Sequence, residues 1–127
     1  MNSRNDRTIL IYGLSGMELL KLIPLCKQAG IRCKAVSSSE TTLTISQLLR
    51  GEKSENAEPY ALNGQYALLD GFAGHLEDAT NIINQVSSGV VKAMHTAHNT
   101  NWRFADLCFA IQQEQNVIEE LKKKKKK

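Results

Sequence analysis

The chain has 127 residues, 42% hydrophobic and 23% charged, which is ordinary for a globular protein that buries a core without metal ions or disulfide bonds. Its formal charge of +3 comes from the six consecutive lysines at 122–127; without them ten basic residues remain against thirteen acidic ones. Such a mildly acidic body argues against a nucleic-acid-binding face, which needs clustered positive charge.

The cysteines and the apolar runs predict a cytoplasmic protein with no membrane span. Cys26, Cys33 and Cys108 are odd in number, lie in apolar segments and lack a C-x-x-C spacing, so we expect three reduced, buried thiols. Residues 1–7 lead into only four apolar residues, so no signal peptide is predicted. The longest apolar runs are too short to cross a bilayer.

The first predicted strand is the apolar run at 9–12, which ends at Gly13. A turn over 13–16 leads into a predicted helix at about 17–29, with apolar residues spaced i, i+3, i+4 and i+7. Pro24 lies inside this helix and predicts a kink or a restart, because proline has no backbone N–H to donate.

The rest of the first half is predicted to be a strand, a loop and a short helix. Residues 31–36 begin with strict alternation of apolar and charged residues, which indicates a strand with one face less buried than the other. A short helix is predicted at 43–49. Residues 51–64 are polar and acidic and contain Pro59, which is typical of a linker.

The second half repeats this order and ends in the longest helix. After a polar loop at 95–100, that helix is predicted from Asn101 to about Leu121, with Thr100 or Asn101 as its N-cap. Its apolar stripe thins beyond Gln112, so we expect the final turns to project from the body. The elements before it are predicted as a strand at 66–70, a turn at 71–74, a helix at 75–86 and a strand at 89–94.

Two segments of the chain share one pattern. Residues 8–16 read TILIYGLSG, and 58 positions later residues 66–74 read YALLDGFAG. At the same offset Lys34-Ala35 falls on Lys92-Ala93, which predicts an internal duplication. The predicted organisation is a single domain over 1–127, with half-repeats at 7–50 and 65–121, a linker at 51–64 and a disordered lysine tail at 122–127.

Strands that alternate with helices are typical of βαβ units and parallel pairing. We therefore predict an α/β domain in which two βαβα halves form one four-stranded, largely parallel sheet with helices packed on it. The continuous apolar strands favour helices on both faces of the sheet, whereas the alternation at Arg32 and Lys34 favours one face. The sequence leaves this choice open.

The second half also carries a family resemblance. Its strand ends in Leu68-Leu69-Asp70-Gly71-Phe72; a second strand reads Lys92-Ala93-Met94-His95-Thr96, and Asn99-Thr100-Asn101-Trp102 follows. Over about residues 65–115 this resembles a small bacterial family catalogued as domain of unknown function 3783. Since that family has no assigned activity, the resemblance implies an architecture and a bacterial origin.

The two glycine turns are the first candidate binding sites. Each connects a strand to a helix, where free N–H groups at the helix N-terminus can bind an anion. Neither has the G-x-G-x-x-G pattern or the lysine of a Walker loop, so the structural alternative is that the glycines serve a sharp turn. The candidate residues in these turns are Gly13, Ser15, Gly16, Gly71 and Gly74.

Two lysines and one loop are the other candidates. Lys34 and Lys92, equivalent at the 58-residue offset, either bind an anionic ligand or extend past a helix to solvent. The loop after the fourth strand lies where open parallel sheets bind ligands. Capping by Thr100 or Asn101 and packing by Trp102 are the structural alternatives for this loop. Its candidate residues are Thr96, Asn99, Thr100, Asn101 and Trp102.

No pattern in the sequence predicts a metal site, a cofactor or catalysis. His95 and His98 have an H-x-x-H spacing, but no third ligand is close in the sequence. Ser15 lies in a strand-turn-helix connection without the G-x-S-x-G context of an activated nucleophile.

We therefore expect a non-enzymatic binding or regulatory module that engages a small anionic ligand or a protein partner. The last helix also permits a homodimer. The alternative is a small enzyme that acts on a phosphorylated or carboxylated metabolite through Lys92 and the loop from His95 to Asn101. The lysine tail predicts weak, salt-sensitive contact with polyanions.

Overall fold

The computed structural model describes residues 7–53 and 59–125. Four strands and four helices alternate along the chain, as the sequence predicted. In chain order they are β1 (Arg7–Tyr12), α1 (Gly16–Gln28), β2 (Ile31–Ala35), α2 (Ile45–Leu49), β3 (Gln65–Asp70), α3 (Leu76–Val86), β4 (Val90–Met94) and α4 (Phe104–Lys125).

The strands form one sheet in the order β2-β1-β3-β4, which confirms the predicted four-stranded α/β sheet. The β1–β2 and β3–β4 pairs are parallel. The central β1–β3 pair is antiparallel, with Thr8 opposite Asp70 and Tyr12 opposite Tyr66, so the sheet is mixed. The carboxyl ends of β1 and β2 therefore lie at one end of the sheet, and those of β3 and β4 lie at the other.

Helices cover both faces of the sheet, which decides the question that the sequence left open. α1 and α3 pack on one face around Ile9, Ile11 and Phe72. α2 and α4 pack on the other face around Leu10, Leu68 and Phe104. Both faces of β1 and β3 are thus buried, which accounts for their continuous apolar sequences.

α1 begins with a complete capping box. The Ser15 side chain accepts a hydrogen bond from the Glu18 N–H, and the Glu18 carboxylate accepts one from the Ser15 N–H. The helix then continues without a restart through Pro24, which is exposed, so water can reach the carbonyl that proline leaves unpaired.

α4 differs from its prediction at both ends. It begins at Phe104, so neither Thr100 nor Asn101 is its N-cap, and that prediction is wrong. It continues to Lys125, so residues 122–125 are helical and not the predicted disordered tail. Lys126 and Lys127 lie outside the described residues, as do residues 54–58 of the predicted linker.

Within the described ranges 7–53 and 59–125, no helix combines the length and the apolarity needed to cross a membrane. Cys26 and Cys108 are buried as predicted, while Cys33 is only partly buried; all three thiols are free. Burial raises the pKa of the Cys108 thiol to about 12, so it stays protonated near neutral pH.

Candidate functional site

The loop that follows β4 is held by its own polar side chains. The Asn99 carbonyl oxygen accepts a hydrogen bond from the Thr96 N–H at 2.9 Å, and the Thr96 hydroxyl accepts one from the Asn99 N–H at 3.2 Å. The Asn99 amide also donates to the Met94 carbonyl oxygen at 2.9 Å. Thr96 and Asn99, predicted as ligand-binding residues, therefore shape this loop.

Three side chains around this loop form a hydrogen-bonded series that we call the polar cluster: Asp70, His95 and Thr100. His95 Nδ1 lies 2.8 Å from Asp70 Oδ1, and His95 Nε2 lies 2.8 Å from Thr100 Oγ1. Because an ionised carboxylate only accepts, Nδ1 of a neutral ring carries the proton and Nε2 accepts from the Thr100 hydroxyl. The His95 and Asp70 side chains are 23% and 32% exposed, so solvent reaches both.

The backbone fixes the two ends of this cluster. The His95 N–H donates to the Leu69 carbonyl oxygen at 2.8 Å, which holds the histidine beside the end of β3. The Thr100 carbonyl oxygen accepts from the Ser46 N–H at 2.9 Å, which ties the threonine to the start of α2. The imidazole is thus positioned by main-chain bonds as well as by Asp70.

Reciprocal hydrogen bonds join the loop before α4 to the loop before α2. Ile45 N–H donates to Trp102 O, and Phe104 N–H donates to Leu43 O, both at 2.9 Å. Ser46 N–H and Ala105 N–H make a second such pair, to Thr100 O and Thr41 O. The donors Ile45 and Ser46 match the donors Phe104 and Ala105 at an offset of 59, and the acceptors of the two pairs match at the same offset. The two loops therefore have the same backbone arrangement.

The positions that match the polar cluster in the first half are Tyr12, Val36 and Thr41, which we call the counterpart cluster. The Val36 N–H donates to the Ile11 carbonyl oxygen at 2.8 Å, the same bond that His95 makes with Leu69. Tyr12 and Val36 pack in the core on the α2 and α4 face. Thr41 is fully buried and donates to the Tyr60 carbonyl oxygen at 2.7 Å.

The glycine turns do not form a common site. Because β1 and β3 are antiparallel, the turn after β1 and the turn after β3 lie at opposite ends of the sheet. Gly13 is required by its own backbone: its φ is +93°, and an added Cβ would collide with the carbonyl oxygen of Gly64. Gly71 and Gly74 also have positive φ, whereas Gly16 is simply the first residue of α1.

The two candidate lysines are not equivalent in the sheet. Lys34 lies opposite Leu10, but the residue opposite Leu68, the match of Leu10, is Ala93 rather than Lys92. The second strands of the two halves therefore match at an offset of 59. Because successive residues of a strand point to opposite faces of the sheet, the two lysine side chains leave the sheet on opposite faces.

Each lysine also has a partner within the fold. Lys34 Nζ lies 3.4 Å from Glu40 Oε2. Burial tends to raise the pKa of Glu40, but hydrogen bonds from the Ser37 N–H and the charge of Lys34 outweigh it and lower that pKa. Lys92 Nζ donates to the Val90 carbonyl oxygen at 3.0 Å, and burial lowers its pKa.

Lys92 borders a cavity of about 540 Å³ between β4 and α4. Glu114 and Glu119 line the same cavity. Two carboxylates against one ammonium group give a local field that disfavours an anionic ligand.

Trp102 and Asn101 lie on the outer side of the loop. Trp102 packs against the core cluster beneath α4, as its predicted packing role requires, and its ring is 5.4 Å from that of His98. Asn101 is exposed, and both residues line a shallow cavity of about 570 Å³ with Arg103 and Phe109.

No family model matches the chain, and comparisons with curated proteins and with solved structures give no match either. The resemblance to domain of unknown function 3783 therefore stays a prediction. Among the described residues, no group of three or more His, Cys, Asp or Glu side chains is arranged to hold a metal ion.

Sequence reasoning missed Asp70, and it considered His95 only as a weak metal ligand and as one end of the loop in the alternative enzyme. The available signal was positional: Asp70 ends one apolar strand, and His95 directly follows another. In neighbouring parallel strands those two positions meet at the same end of the sheet.

Proposed function

We propose that this chain is a protein-interaction module that binds its partner through exposed apolar side chains of α4. One observation carries this proposal. Four large apolar side chains of α4 are between 45% and 58% exposed, and we call them the α4 apolar surface: Phe109, Val117, Ile118 and Leu121. Exposed apolar side chains grouped on one element are typical of interaction sites.

The length of α4 supports the same proposal. Ile111 is the last buried residue among those described in this helix. Residues 112–125 follow it, which is roughly 20 Å of helix at 1.5 Å per residue. An isolated helix of this length is marginal in water, so a partner that covers Val117, Ile118 and Leu121 would stabilise it.

The geometry favours a protein partner over the small anionic ligand. The glycine turns lie at opposite ends of the sheet, and Lys34 is paired with Glu40. Lys92 shares its cavity with Glu114 and Glu119. The groups expected to bind an anion are thus dispersed, paired with a carboxylate, or placed in a cavity lining of net negative charge.

The charges of α4 point to a second copy of the chain as the partner. An antiparallel pair of α4 helices centred on Ile118 places Ile118 beside Ile118 and Glu114 of each copy beside Lys122 of the other. A parallel pair would instead bring like charges together. Pairing also covers Val117, Ile118 and Leu121 on both copies.

We also propose that the chain arose by internal duplication of a βαβα unit. The reciprocal hydrogen bonds at the 59-residue offset and the parallel pairing within each half support this origin. The strands within each half then pair in parallel, and the antiparallel β1–β3 pair joins the two halves. Bacterial origin and cytoplasmic location stay predictions.

The alternative of an enzyme acting on a phosphorylated or carboxylated metabolite loses support at Lys92, whose cavity carries excess negative charge. Polyanion contact through the lysines remains a proposal of lesser weight, since Lys122, Lys123 and Lys124 are exposed on one helix end.

Analytical ultracentrifugation of the full chain tests the proposed dimer. We expect a concentration-dependent dimer that Ile118→Glu abolishes, because two carboxylates would face each other at its centre. Leu20→Glu is the matched control: Leu20 is an exposed apolar residue of α1 outside the α4 apolar surface, so this variant should dimerise normally. A wild-type chain that is monomeric at every concentration, or a dimer that survives Ile118→Glu, would contradict the proposal.

A further inference from the structure

The polar cluster has the connectivity of an activated nucleophile. The Thr100 hydroxyl contacts one nitrogen of His95, and the other nitrogen contacts the Asp70 carboxylate, each at 2.8 Å. A hydroxyl beside an imidazole whose second nitrogen is oriented by a carboxylate is the arrangement by which unrelated folds activate serine or threonine. We propose that these residues form a surface acyl-transfer site, with Thr100 as nucleophile, His95 as general base and Asp70 as positioning residue.

The fold does not require this cluster. The counterpart cluster occupies matching backbone positions, with the same main-chain bond from Val36 to Ile11, and builds its loop with apolar packing. Thr41 there donates to a backbone carbonyl and is fully buried, whereas the Thr100 hydroxyl is directed to an imidazole that solvent reaches. Because the same loop forms in the first half without these side chains, we infer that Asp70, His95 and Thr100 have a role other than stability.

Donors for a developing oxyanion are close to the nucleophile. In the described part of the chain, the backbone N–H groups of Thr100 and Asn101 donate no hydrogen bond. The N–H of the nucleophile itself and that of the next residue are the groups that commonly stabilise the tetrahedral intermediate of acyl transfer. Asn101 is exposed, so a substrate carbonyl can approach from solvent.

The proposed reaction consists of two balanced steps. Thr100 Oγ1 attacks the carbonyl carbon of an ester as its proton moves to His95 Nε2. The bond to the leaving oxygen then breaks, and that oxygen takes the proton from His95, which leaves an ester on Thr100. Water attacks this ester with His95 as the base; the carboxylic acid departs and the proton returns to Oγ1.

The surroundings of the cluster define the substrate class. Asp70, His95 and Thr100 line none of the cavities described above, and the shallow cavity beside Asn101 is the one nearest to them. We therefore expect the acyl group to bind at an open surface rather than in an enclosed pocket. An open site supplies little binding energy, which favours small acyl groups on good leaving groups. Activated acyl esters are therefore the expected substrates.

The probe is 4-nitrophenyl acetate, with release of nitrophenolate followed by absorbance and the acetylated residue located by peptide mass spectrometry. We expect acetyl-Thr100 in the wild type and a loss of about 100-fold or more in Thr100→Val, which keeps the shape but not the hydroxyl. Thr100→Ser should restore most of the rate. His98→Gln is the matched control, because His98 lies in the same loop and its ring packs against Trp102, and its rate should equal that of the wild type.

Asp70→Asn separates positioning from a structural role. If Asp70 orients the imidazole, this variant lowers kcat about 100-fold or more with KM nearly unchanged, while the melting temperature stays close to that of the wild type. Acetylation confined to His98 or to lysines, or a rate that Thr100→Val leaves unchanged in a folded protein, would overturn the proposal. These outcomes are independent of the α4 dimer, since the variants lie outside the α4 apolar surface.

Discussion

The polar cluster and the counterpart cluster occupy matching positions of the two halves but differ in burial and in bonding. In the first half, Val36 and Thr41 are buried and complete a hydrophobic core. In the second half, the matching residues His95 and Thr100 are partly exposed and bonded to each other. The loop backbone is the same in both. Main-chain hydrogen bonds therefore set the loop, and its side chains are left to serve either stability or chemistry.

Exchanging side chains between the two positions should give the largest effect. Val36→His buries an imidazole in the core without a designed partner and should lower the free energy of unfolding by about 3 kcal/mol. His95→Val replaces a partly exposed residue and should cost less than about 1 kcal/mol. Urea unfolding measures both. Equal losses would mean that His95 is as structural as Val36.

The two threonines offer a finer test. Thr41→Val removes a buried hydroxyl that donates to the carbonyl oxygens of Ser38 and Tyr60, so a loss of about 1–3 kcal/mol is expected. Thr100→Val should cost under about 1 kcal/mol, because water can replace its single side-chain bond to His95. Thermal unfolding compares the pair, and a larger loss at Thr100 would contradict this ranking.

Acid should act unequally on the two loops and give the smallest effect. Glu40 matches Asn99, since each side chain accepts a hydrogen bond from the N–H three residues earlier. The pKa of Glu40 is lowered in the folded state, so its contribution is present above the unfolded pKa of about 4.3 and is lost as pH falls through the folded pKa.

We expect Glu40→Gln to lower stability by about 1 kcal/mol or less at neutral pH and to reduce the fall in stability below about pH 4. Urea unfolding from pH 3 to pH 7 measures the difference. Asn99→Asp is the companion variant that introduces a carboxylate at the matching position. A stability profile that Glu40→Gln leaves unchanged would show that this carboxylate has no linkage to folding.

The elements could be predicted because their signals are local. Apolar runs and helical spacing placed all eight elements within a few residues of their bounds. The antiparallel pairing of β1 with β3 could not be predicted, because it depends on the path between the halves and not on either strand's sequence. The sequence predicted an offset of 58 because Lys34-Ala35 is identical to Lys92-Ala93. The strand register instead matches Lys34 with Ala93, which is an offset of 59.

The candidate site was predicted in part for a related reason. The polar loop after β4 was identified from its composition, and Thr100 was given two roles, as a candidate ligand-binding residue and as a possible helix cap; neither predicted its bond to His95. The Asp70 carboxylate that contacts His95 comes from another strand, 25 residues earlier in the chain. The only signal for such a contact is positional, and it requires knowing that the two strands are parallel neighbours.

The reciprocal bonds between the loops have a consequence for how the molecule comes apart. Unfolding the first half removes the hydrogen-bond partners of residues at the start of α4 and leaves one edge of β3 unpaired. Unfolding the second half has the same effect on the start of α2 and on one edge of β1. Neither half can exchange its buried amides with solvent without exposing those of the other. We therefore expect the two halves to unfold as one cooperative unit, in contrast to solenoid repeats, which can unfold one at a time.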